Sequence, residues 1–194
     1  MAVERDIIYF ADENDWSGWL AVNGTDSPGV QIAIARKGSA LPSVTYAEAV
    51  ETALCFGWID GRRTGLDETH YLQLFTPRRT RSIWSQINTE RATTLIKSGR
   101  MMPAGLAEVE RAKADGRWQA AYAPASTIQV PDDLTVALAA APEATAVFEN
   151  LDSTNRYAIL FRIANVKRAE TRARKIAEYV GMLGRGETIY PRKP

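Results

Sequence analysis

Two short stretches of the chain concentrate the side chains with the most chemistry. The first holds Trp58, Asp60, Arg62 and Arg63. The second holds Arg78, Arg79, Arg81, Ser82, Trp84, Ser85 and Asn88. Arginine offers planar, bidentate donors to carboxylate or phosphate, and tryptophan offers a face to a flat ring or a cation. If residues 59–64 and 69–76 form a hairpin, strand alternation puts Trp58, Asp60 and Arg62 on one face. The Pro77-Arg78-Arg79 turn then brings the second strand close to the start of a helix over 83–97, where free backbone N–H groups favour an anion. One expectation is a pocket for a small anionic or aromatic ligand, built from Trp58, Asp60, Arg62, Arg78, Arg79, Ser82, Trp84 and Asn88. The competing reading pairs Arg62 or Arg78 with Asp60 or Asp67 and buries Trp58 and Trp84 in the core, where tryptophan usually lies.

Single residues add less. Asp60 could act as a general base if burial raised its pKa, but aspartate before glycine is also a turn signal, and no paired acid or nucleophile accompanies it. No catalytic residue is assigned, and the balance is against an enzyme. His70 shares a strand face with Leu72 and Leu74 and reads as a partly buried structural histidine. Cys55, within Ala-Leu-Cys-Phe, reads as a small buried hydrophobe. Near the C-terminus Arg168, Arg172 and Lys175 share one helical face, with Ala169, Ala173, Ile176, Val180 and Leu183 on another. That basic face could touch phosphates, RNA or an acidic partner. It could equally be a solvated face stitched by Glu170 and Arg174. No RNP motif, zinc finger or helix-turn-helix pattern accompanies it, so nucleic acid is not the expected partner.

The bulk numbers set the outer bounds. The chain has 194 residues, 45% apolar and 24% charged, with a formal net charge of +1. That suffices for one sizeable core with a smaller appended one, and it creates no global field toward DNA or an acidic membrane. No apolar run approaches the roughly 20 residues of a membrane helix. The stretch from Met1 to Asp15 lacks a basic-then-apolar export pattern, so the expected location is cytoplasmic. One cysteine and one histidine exclude a disulfide, a thiolate cluster and a multi-histidine metal site. Glu4, Asp6, Asp12, Glu13 and Asp15 form an acidic cluster that could hold a hard cation weakly, although a solvated terminus is the plainer reading. Gly99 to Gly105 contains Pro103 and lacks a P-loop lysine. No cofactor is expected.

These residues must be positioned by a modest set of elements. Residues 14–22 read as a short helix, and Val30 to Ala35 as a strand. Thr45-Tyr-Ala-Glu48 is a capping box that opens a helix over 46–55, which Gly57 ends. The hairpin follows, closed by Pro77. Then come helices over 83–97, capped by Gly99, and 104–114. Residues 118–130 lose periodicity and read as an extended linker held by Trp118 and Tyr122. Helices over 132–140, 143–150, 154–165 and 168–183 complete the chain, the first two entered through Pro131 and Pro142. Strand signals confined to the first 80 residues argue α+β. The resulting plan is an α+β domain over 1–117, a linker over 118–130, a helical module over 131–186 and a tail over 187–194.

Several tracts are similar to one known family. Tyr46-Ala-Glu-Ala-Val with Ala53-Leu-Cys-Phe-Gly-Trp-Ile-Asp-Gly61 resembles a stretch of the YdeI/OmpD-associated proteins. So do Phe75-Thr-Pro-Arg-Arg79 with Ser82-Ile-Trp-Ser85 and Asn88, Gly99-Arg-Met-Met-Pro-Ala-Gly105, and Asp115-Gly-Arg-Trp118. Val130-Pro-Asp-Asp-Leu134 through Lys167 and Thr171-Arg172 resembles the family's small helical module. The strand over 30–35 departs from the pattern, with Gln31 in place of a tryptophan. The resemblance implies a YjbR- or frataxin-like region with a small antiparallel sheet flanked by helices, then a helical module. It also implies a link to bacteriocin protection and resistance to cationic peptides, without an agreed reaction. The function so implied is that of a non-catalytic binding or stress-resistance protein. The alternatives are a small enzyme on a carboxylated or phosphorylated substrate, or a nucleic-acid or acidic-partner binder acting through the basic helix.

Overall fold

A computed structural model describes residues 5–191. The chain divides into two compact units, residues 1–121 and 122–194. Glu4 of the acidic cluster and the last residues of the tail, 192–194, lie outside the described residues.

The first unit runs β1 (Ile7–Ile8), α1 (Glu13–Asn23), β2 (Val30–Ala35), α2 (Tyr46–Cys55), β3 (Trp58–Gly65), β4 (His70–Pro77), α3 (Gln86–Lys97) and α4 (Pro103–Ala114). Its four strands lie in the order β1-β2-β4-β3. β2–β4 and β3–β4 pair antiparallel, whereas β1 joins β2 in parallel through Ile7 and Ile8. The sheet is therefore mixed rather than purely antiparallel. A two-residue strand carries no period to read, which is why the sequence did not show β1.

Local chemistry starts and stops the helices as the sequence suggests. Asp12 caps α1 by accepting from the N–H groups of Asn14 and Asp15 at 2.8 and 3.0 Å. Thr45 and Glu48 form the reciprocal capping box of α2. Gly57, with φ of +76°, takes the left-handed turn that ends α2 and admits β3. The helix expected from residue 83 begins instead at Gln86. Ser85 is its cap, taking the Asn88 N–H at 3.1 Å. Residues 79–82 are held in a separate turn by Arg79 N–H donating to Ser82 Oγ at 2.9 Å.

Cross-strand partners share a face, so Val30, Ile32, Ile34, Tyr71, Phe75 and Trp58 lie together on one side of the sheet. They join Trp16 and Leu20 of α1, Val50 and Leu54 of α2, and Val109 of α4 in one buried core. Trp16, Trp58 and Phe75 are its largest fully buried rings.

The second unit contains α5 (Asp132–Ala139), α6 (Pro142–Glu149), α7 (Ser153–Ala164) and α8 (Ala169–Gly184). Leu134, Leu138, Phe148, Ile159, Ile163, Ile176 and Leu183 recur at helical spacing and form its core. Within the stretch 118–130, Trp118 and Ala121 pack on the first core, and Ile128 and Val130 on the second. Among the described residues no helix is long and apolar enough to cross a membrane.

Candidate functional site

The hairpin does not present its residues with regular alternation. Asp60 pairs with Phe75 and Arg63 with Gln73, so Gly61 and Arg62 together face the single residue between them, a β-bulge. The Gly61 carbonyl at the bulge accepts from Gln73 Nε2 at 2.8 Å. This extra residue reverses the facing of everything after it. Arg63, not Arg62, shares the face of Trp58 and Asp60. The guanidinium of Arg63 lies 3.7 Å from the centroid of the Tyr71 ring, while Arg62 is exposed on the other side. A glycine inside a strand is the usual mark of a bulge, and Gly61 was the available signal.

The remaining residues of the expected pocket divide into groups. Trp58 is a core residue, its Nε1 donating to the Gly24 carbonyl at 3.0 Å and its ring edge-on to Trp16 and Trp19. Arg78 and Trp84 do come together. The buried Arg78 guanidinium sits 3.6 Å from the Trp84 ring centroid and donates to the Ile83 carbonyl at 3.3 Å. Trp118 packs against the same indole at 5.0 Å. Ser82 gives its Oγ to the Arg79 turn and its carbonyl to Arg117 Nη1 at 2.7 Å. Asn88 is buried in the first turn of α3, and Arg79 is exposed. The described salt bridges and hydrogen bonds do not join Arg62 or Arg78 to Asp60 or Asp67. Asp60 accepts from the Tyr46 hydroxyl at 2.7 Å. Asp67 accepts from Thr69 and the His70 N–H, which holds its carboxyl below the usual range.

His70 is buried, with Nδ1 2.8 Å from Thr69 Oγ1 and the Tyr9 ring edge-on at 5.2 Å. Cys55 is buried in the core and burial pushes its thiol up. Three of the acidic N-terminal residues serve local structure. Asp12 caps α1, Asp15 accepts from the Ala11 N–H, and Glu13 binds Thr52 and Arg100. Among the described residues no three His, Cys, Asp or Glu side chains stand where they could share a metal.

On the C-terminal helix, Arg172 is already engaged. Its Nε and Nη2 bind Asp133 at 2.6 and 3.0 Å, and Nη1 donates to the Ile163 carbonyl at 2.7 Å. Lys175 lies 3.7 Å from Glu178, the ion pair this helix makes in place of Glu170–Arg174. Of the basic face, Arg168 at the helix start is exposed.

Cationic chemistry converges elsewhere. The loop after β2, the first turn of α2 and the far half of the hairpin enclose a groove of about 440 Å³. Arg36, Lys37 and Arg63 line it with the phenols of Tyr46 and Tyr71, and no acidic residue lines it among the described residues. Gly38, with φ of +91°, turns the loop. Ser43 Oγ ties the loop down by accepting from the Ala35 N–H at 3.0 Å, and Arg36 Nε anchors to the Asp67 carbonyl at 3.1 Å. Burial and the Asp60 hydrogen bond push Tyr46 above the ordinary tyrosine range, so it remains a protonated donor. Burial also raises Tyr71, with Arg63 opposing. The volume is that of a small-molecule site. Three cations and the Tyr71 hydroxyl give it donors for an anion, and its phenols give ring faces for a flat group. The sequence reading names Arg63 but not the loop residues Arg36 and Lys37, because the loop has no period, and Tyr46 enters it as the first residue of the helix over 46–55.

Comparison with known proteins agrees with the division into two units. Residues 8–108 match a family described as a domain of unknown function (DUF8412). Residues 127–186 match the family described as bacteriocin-protection, YdeI or OmpD-associated. No curated protein and no solved structure is significantly similar to the chain. The match over the first unit is to DUF8412, and the YjbR- or frataxin-like character of that region remains an expectation from resemblance. By these matches the chain belongs to the DUF8412 family over more than half its length and carries a YdeI/OmpD-associated module at its C-terminal end.

Proposed function

We propose that this protein is a non-catalytic, cytoplasmic binding protein with a bacteriocin-protection-related role, and that its first unit holds a small anionic ligand bearing a flat ring. The C-terminal family match supports the bacteriocin-protection connection. The observation that carries the ligand reading is the groove over Tyr71, where Arg36, Lys37 and Arg63 stand without an acidic lining residue among the described residues. An anion entering there exchanges water for charge-assisted hydrogen bonds with these cations. The stacked Arg63 is pre-ordered, which lowers the entropy lost on binding. The test is thermal melting against a panel of aromatic carboxylates and phosphates. At least one compound raises the melting temperature, and Arg63→Ala removes the rise. A panel with no effect on the wild-type protein rejects the reading.

A second reading, a small enzyme on a carboxylated or phosphorylated substrate, draws on the Tyr46–Asp60 hydrogen bond beside the groove. It requires the pair to exchange a proton with bound ligand. Compounds that bind and are recovered unchanged after long incubation decide against it.

A further inference from the structure

We propose a second ligand site, in the C-terminal unit, for a planar aromatic ring that carries one carboxylate. It is independent of the groove in the first unit and uses none of its residues. The site is a cavity of about 470 Å³ between one face of α7 and the segment around Tyr190. Ser153, Tyr157 and Phe161 follow one another at four-residue spacing, so successive turns of one helix supply the floor.

That floor is fixed by its neighbours. Tyr157 and Phe161 have ring centroids 5.7 Å apart. Tyr122 meets Phe161 edge-on at 4.9 Å, and the Tyr157 hydroxyl donates to the Ala123 carbonyl at 3.3 Å. The facing wall is fixed too. Asn155, only 1% exposed, accepts from the Tyr190 N–H at 2.9 Å and donates to the Tyr190 carbonyl at 3.2 Å. The same Asn155 amide nitrogen donates to the Asp152 carboxylate at 2.9 Å. A buried amide with its polar atoms so committed holds Tyr190 in register. Three aromatic rings are thus set around a space of small-molecule size before any ligand arrives.

The charge comes from Arg162, one residue beyond Phe161. Its described contacts are both with Tyr190: Nη2 to the hydroxyl at 3.4 Å, and the guanidinium 5.7 Å from the ring centroid. These are weak for a guanidinium. Among the described residues it is the sole charged one in the lining. A carboxylate at the rim gives it the bidentate partner its fork geometry suits, while the attached ring lies among Tyr157, Phe161 and Tyr190. A one- or two-ring acid satisfies both halves of the cavity. A phosphodiester or a fully aliphatic acid leaves one half unused.

The test is titration of the full chain with indole-3-acetate, followed by amide chemical shifts, beside the uncharged indole-3-acetamide and the saturated cyclohexaneacetate. Saturable shifts on α7 and at Tyr190 are expected. Arg162→Gln weakens binding by about tenfold, the scale of one charged hydrogen-bonding contact. Both control ligands bind more weakly than indole-3-acetate to the wild-type protein. Arg63→Ala, altered only in the first unit, leaves these shifts in place. Absence of saturable shifts on α7 overturns the proposal. So does an Arg162→Gln protein that binds as the wild type, or a response that Arg63→Ala abolishes.

Discussion

Gly105 in α4 lies against the end of α2, with no room for a methyl group. A Cβ there would stand 2.3 Å from the Cys55 carbonyl oxygen and 2.7 Å from that of Leu54, where ordinary contact begins at 3.4 Å. Both obstacles are backbone, so Gly105→Ala drives the helices about 1 Å apart, which costs at the upper end of the 1–3 kcal/mol typical of overpacking. The Met102 N–H to Cys55 carbonyl hydrogen bond, 3.1 Å long, lies on the same line of contact. Its loss adds about 1 kcal/mol. A total of about 4 kcal/mol lowers the melting temperature on the order of 10 °C or more. All five tryptophans fall within residues 1–121, so urea unfolding followed by indole fluorescence reports this unit. Gly18→Ala is the matched control. Its Cβ meets nothing within 4 Å in α1, and it gains about 0.5–1 kcal/mol from helix propensity. A Gly105→Ala protein within about 0.5 kcal/mol of the wild type, an ordinary surface effect, would refute the close approach of α4 to α2.

Three further outcomes follow from particular contacts. Arg78→Lys keeps the charge but loses the flat stack on Trp84, and costs about 1–2 kcal/mol in the same unfolding assay. Asp133 is held below the usual carboxylate range by its hydrogen bond with Arg172. Its folded pKa is depressed, so its stabilisation is complete above the unfolded value near 3.9 and is lost as pH falls through the folded one. The pair is partly exposed, which limits it to about 1 kcal/mol. Hydrogen exchange in α5 and α8 shows the loss on acidification, and Asp133→Asn flattens it. The Cys55 thiol, buried and raised, reacts with a disulfide reagent at pH 7.5 far more slowly in the folded protein than in urea. Equal rates would show that it is accessible.

Most of the fold was legible because its elements carry strong periodic signals. The α2 capping box, the helices α5 to α8 and the glycine stops at 57 and 99 lie where the sequence indicates. What failed were features that depend on one residue or on tertiary partners. β1 exists through two residues paired to β2. α3 starts late because Ser85 caps it while Arg79 and Ser82 close their own turn. The bulge at Gly61 and Arg62 moved Arg63 onto the face assigned to Arg62, and period-two reasoning cannot register one inserted residue. The groove escaped notice for a related reason. Its cations come from a loop and from a strand beyond the bulge, with Tyr46 added from a helix start, and nothing in sequence spacing brings them together.

On the proposed reading, the groove over Tyr71 takes an anion through Arg63 and its neighbouring cations. Calorimetric titration of phenyl phosphate into wild-type and Arg63→Gln protein, at low and at high salt, addresses it directly. One-site binding is predicted, weakened about tenfold by Arg63→Gln and weakened further by salt because the contacts are partly exposed. Equal affinity in the two proteins, or no binding at millimolar ligand, would contradict it.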